Sequence, residues 1–144
     1  MIFAWILLFF ATAIFVLDSG LLYENVSDIE SVKKIEKGER KKLHIPDNVV
    51  INFIIDTKIS RNVHGYVDIK KSSKNSYFIY LEESAQISTV SHEIYHVYRV
   101  SKLYPSFTDP EWQKNVRRST LLKIMITEQF LAYVYGWFGI NLEF

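Results

Sequence analysis

The chain has 144 residues, a net charge of +1, no cysteine and an apolar content of 49%. That length suffices for one modest core, and the balanced charge argues against a nucleic-acid partner held by electrostatics. The missing thiols exclude disulfides and a cysteine nucleophile, and no phosphate-binding glycine loop, dinucleotide fingerprint, G-x-S-x-G elbow or internal repeat is present.

Residues 1 to 17 carry no charge, and Leu21-Leu22-Tyr23 extends the apolar character past Asp18. The run reads as a hydrophobic helix retained as a single-pass membrane anchor over 1–23, with a folded domain over 24–144. A cleaved signal peptide is the alternative: Ala11-Thr12-Ala13 has the small-x-small look of a cleavage site, but a basic n-region is missing. Lys33, Lys34 and Lys37 lie at the outer limit of the positive-inside rule, so the side of the membrane stays open. Asn25-Val26-Ser27 is a glycosylation sequon, too common a pattern to decide it.

A first helix is predicted from Asp28 to a stop at Gly38, with Ile29, Val32 and Ile35 inward. The basic run from Lys33 to Lys42, without interleaved aromatics, reads as a solvated face. Val49–Ile55 is β-branched and aromatic and predicts a central strand covered on both faces. Val63–Lys70 alternates and is expected to pair beside it, and Tyr77–Leu81 predicts a third strand. A helix follows from about Ile87 to Lys102, with Ile87, Val90, Ile94 and Val97 as its buried stripe. Asp109 and Pro110 have the pattern of an N-cap and first helical residue. A last helix carries Glu128 to a stop near Gly136, with a break near Arg118-Ser119.

Within the central helix stands H-E-x-x-H: His92, Glu93 and His96. Residues four apart lie one above the other on a helix, so the imidazoles converge on a point suited to one Zn²⁺ per chain. Glu93 falls about 100° around the helix from His92, beside the metal but poorly placed to bind it. A zinc-bound water with a carboxylate to take its proton is a hydrolytic arrangement. The third ligand is expected from Glu128, whose helical neighbours Leu121, Ile124, Met125, Leu131, Ala132 and Tyr135 are apolar or small. A carboxylate in such a stripe needs a partner, a proton or a metal, unless it sits at a helix edge and reaches solvent. His44 and His64 have no ligand spacing to the motif.

His92-Glu93-Ile94-Tyr95-His96, followed by Glu128 on a second helix, resembles the gluzincin branch of the zincin metallopeptidases, over Tyr77 to Gly136. In length the chain is similar to the minimal gluzincins. The resemblance implies an α+β zincin-like fold: a small twisted, mostly antiparallel sheet packed on an active-site helix and a C-terminal helix. It implies His92, His96 and Glu128 as zinc ligands and Glu93 as general base. It also implies an edge strand at Tyr77, Phe78, Ile79, Tyr80 and Leu81 that binds extended peptide by strand addition. The chain departs from the family at Ala132, where many gluzincins place an aspartate that supports a zinc-bound histidine. The expectation is a membrane-anchored zinc peptidase acting on a peptide or protein, with Tyr133 or Tyr135 steadying the oxyanion. Its rival is a non-catalytic, zinc-stabilised, membrane-tethered interaction module.

Overall fold

The computed structural model describes residues 25–26, 28–56, 59 and 64–142. The elements are α1 (Ile29–Leu43), β1 (Val50–Ile55), β2 (Gly65–Val67), β3 (Ser76–Leu81), α2 (Ile87–Leu103), a 3-10 turn (Pro105–Thr108), α3 (Pro110–Asn115) and α4 (Arg118–Phe138). The architecture is α+β. The expected anchor over 1–23 and the sequon serine lie outside the described residues, as does Val63. Among the described residues no helix is long and apolar enough to cross a membrane.

Asp28 caps α1, accepting the Ser31 backbone N–H at 2.8 Å. The predicted stop at Gly38 does not occur. A single interior glycine costs about 1 kcal/mol relative to alanine, too little to end a helix that buries Val32, Glu39 and Leu43. The helix ends at His44, which takes the left-handed conformation (φ 53°) just before Ile45-Pro46.

The sheet order is β1-β3-β2, with β1 parallel and β2 antiparallel to β3. This corrects three expectations: the sheet is mixed rather than mostly antiparallel, β1 is an edge strand rather than the central one, and β2 pairs with β3, not with β1. It also removes Tyr77, Phe78, Ile79, Tyr80 and Leu81 from the edge, because β3 is the middle strand and is hydrogen-bonded on both sides. Its composition gives the reason: Tyr77, Ile79 and Leu81 are fully buried, and the strand lacks the charges that protect an edge. β2 is shorter than Val63–Lys70 because Asp68 turns the chain, its Oδ1 accepting the backbone N–H groups of Lys70 and Lys71.

α2 is the hub, with α1, α4 and β2 packed on it. Val90, Ile94 and Val97 are fully buried as predicted, whereas Ile87 in its first turn is 36% exposed. Asp109 caps α3 through the Glu111 N–H, with Pro110 at its first position. The chain breaks at Val116-Arg117 and α4 then runs to Phe138, capped by Gly139 at φ 65°. Gly136 is therefore interior, not a stop. A Cβ there would lie 2.8 Å from the Ser88 carbonyl oxygen and 3.0 Å from His92 Cβ, so this glycine lets α4 approach the histidine helix.

Candidate metal centre

α2 brings His92 and His96 together as its periodicity requires: their Nε2 atoms are 3.1 Å apart and the rings meet nearly edge to face. Two nitrogens at about 2.0–2.1 Å from one tetrahedral ion would be separated by about 3.3 Å, so the pair fits a single metal. Both rings are held neutral and keep a lone pair to offer. Burial, then His96, pushes His92 down to about 3, and burial also lowers His96.

The rings are oriented from α4. His92 is hydrogen-bonded to the Ala132 backbone, and the Gln129 side chain bonds both rings. A main-chain group of Ala132 thus holds the histidine, the kind of outer support that fixes tautomer and ring direction. Glu93 is buried, with Oε1 3.9 Å from His92 Nε2. It accepts the Val67 backbone N–H, but burial outweighs that bond and pushes its carboxyl up to about 8. β2 comes this close because residue 65 is glycine: a Cβ there would meet Glu93 Cγ at 3.3 Å and Leu81 Cδ2 and Thr89 Cγ2 at 3.1 Å.

Glu128 is not placed as a third ligand. Its Oε2 accepts Arg99 Nε at 2.8 Å and its Oε1 accepts Arg99 Nη2 at 2.8 Å and the Tyr104 hydroxyl at 3.1 Å. Among the described residues no three His, Cys, Asp or Glu side chains are grouped to hold a metal ion. The apolar stripe correctly marks Glu128 as a carboxylate that needs a partner, but the partner is a guanidinium on the facing helix. Arg99 was legible in principle. His92, His96 and Arg99 are spaced i, i+4, i+7 and so share one helical face.

Tyr133 lies with its ring centroid 4.5 Å from that of His92. Tyr135 does not belong to the site: it is buried, stacks on Tyr95, and its hydroxyl bonds Glu39 of α1. His64 pairs with Glu82 at 2.8 Å on the surface. Two cavities flank the motif. The larger, of about 400 Å³, brings Tyr66, Val67, Phe107 and Met125 around Glu93, His96, Arg99 and Glu128. The smaller, of about 170 Å³, is lined by His92, Tyr133 and Trp137 among others, and Gly65, Glu93 and Gln129 border both.

No family model matches the chain, and no curated protein and no solved structure is similar to it at a significant level.

Proposed function

We propose that the chain is a membrane-anchored, metal-dependent peptidase whose centre is His92, His96 and Glu93. The observation that carries the reading is the pair of neutral ring nitrogens 3.1 Å apart with a buried carboxyl beside them. Zinc bound there would supply a Lewis acid and a water of lowered pKa. Glu93 is the group placed to take a proton from that water and return it to the leaving amine, and a nearby cation favours its ionised form. Full ligation requires the Glu128 side chain to exchange Arg99 for the metal. Tyr133, against His92, is the remaining candidate for steadying an oxyanion. The sheet edge next to Glu93 belongs to β2, so an extended substrate would add at Gly65–Val67, taking over the Val67 N–H that Glu93 accepts. The anchor is the uncharged run 1–17.

One observation favours a second reading, a non-catalytic membrane-tethered module. Among the described residues no buried side-chain nitrogen or oxygen lacks a hydrogen-bond partner, so the α2–α4 polar network closes with protein groups alone.

The test uses the full chain in detergent. Elemental analysis should find one zinc per chain in the wild type and a loss in His96→Ala. Glu93→Gln should retain zinc yet lose cleavage of a mixed peptide library by about 10²-fold or more. Full zinc occupancy in His96→Ala, or undiminished cleavage in Glu93→Gln, would move the site elsewhere. A wild type with no bound zinc and no cleavage is the result the second reading expects.

A further inference from the structure

We propose that the outer face of α4 lies on an anionic lipid surface. Its inner face, with Glu128, Leu131, Ala132 and Tyr135, is buried against α2, yet the outer face is apolar as well. Leu122, Ile126 and Phe130 stand one above the other at i, i+4 and i+8, and are 58%, 63% and 53% exposed. A helix on the surface of a small domain ordinarily turns polar residues outward. Three large apolar side chains in line call for a cover.

Charge identifies it. Between Trp112 and Leu142 the only acidic residue is Glu128, and Arg99 pairs it in the interior. The exposed charges leading into and along α4 are basic: Arg117, Arg118 and Lys123. At about 100° per residue, Arg118 and Lys123 fall about 80° and 60° to either side of Ile126. From there long side chains can lay their stems along the apolar stripe and keep their charges at its rim. An apolar stripe rimmed with basic residues is the pattern of a helix lying in a membrane interface, and each such charge adds affinity for anionic headgroups. A membrane anchor in the apolar run 1–17 would bring α4 within reach of the same surface. The inference is independent of the proposed peptidase chemistry.

The chain has no cysteine, so Ile126→Cys, Phe130→Cys and, as a control on α3, Glu111→Cys each create one site for a nitroxide label. The labelled full chains are placed in phosphatidylcholine vesicles with or without phosphatidylglycerol, and collisions with oxygen and with a water-soluble nickel chelate are compared. With phosphatidylglycerol, the labels at 126 and 130 should favour oxygen severalfold over the control. Replacing Arg117, Arg118 and Lys123 by Gln should reduce the lipid-contacting population by about fivefold per charge. Labels at 126 and 130 that stay open to nickel on anionic vesicles would overturn the proposal. So would equal lipid contact without phosphatidylglycerol, or spin coupling between chains that marks a second copy as the cover.

Discussion

Glu93 and Glu128 sit on facing helices, both buried and both on the wall of the larger cavity, yet they hold opposite chemistry. Glu93 has one backbone N–H from β2 and is pushed up to about 8 by burial, so it keeps its proton at neutral pH. Glu128 has a bidentate guanidinium and a tyrosine hydroxyl, the surroundings of a carboxylate. A buried acid is defined by what faces it. The first is poised to exchange a proton, while the second ties α2 to α4.

The largest effect is expected from breaking the ion pair. Arg99→Met leaves Glu128 buried without its partner and should destabilise the fold by about 3–5 kcal/mol. Arg99→Met combined with Glu128→Leu should recover most of that loss, because two apolar residues carry no desolvation penalty. Denaturant unfolding of the full chain in detergent compares them. A single variant no less stable than the double would show that the pair does not tie the helices.

The second effect tests Glu93 through pH, on chelator-treated protein. Its folded pKa lies above the ordinary 4.5, so the unfolded chain releases a proton that the folded chain keeps, and stability falls as pH rises toward about 8. His92 and His96 are shifted down from 6.5, so their share is lost as pH falls below that value. Two histidines outweigh one glutamate in the overlap, which puts the maximum near pH 6.5. From there to about pH 8 the loss should be about 2 kcal/mol; Glu93→Gln should flatten that limb and steepen the acid one between 4.5 and 6.5, where the glutamate offsets one histidine. An alkaline limb unchanged in Glu93→Gln would assign it to another group.

The smallest effect sharpens the view of Glu128. Tyr104→Phe removes one of its three hydrogen bonds and should cost about 1 kcal/mol, leaving the pH profile of the wild type in place. A cost as large as that of Arg99→Met would make the hydroxyl, rather than the guanidinium, the main partner.

Much of the local structure was legible. Asp109-Pro110 announces α3, the buried stripe of α2 follows its period, and all three strands appear where β-branched and aromatic residues cluster. The first helix does not stop at Gly38, and the last helix ends two residues past Gly136, for one reason: a glycine ends a helix only where the chain needs a positive φ. That condition holds at Gly139, whereas Gly136 answers to the closeness of α4 and α2. Strand order was illegible because the missing edge charges of Tyr77–Leu81 argue against an exposed edge but do not name the strands that flank it.

The convergence of His92 and His96, with Glu93 set to one side, follows from helical geometry over four residues, so the sequence alone determines it. The sequence also marks Glu128 as an acid among apolar neighbours, while leaving open whether it reaches solvent or takes a partner. Which partner it takes was decided only by the packing of α4 on α2, which sets Arg99 across from it. The backbone of Ala132 against His92 and the Val67 N–H on Glu93 are likewise tertiary decisions. Main-chain donors and acceptors exist at every residue and leave no trace in composition, so only the approach of two elements selects which of them meets a side chain.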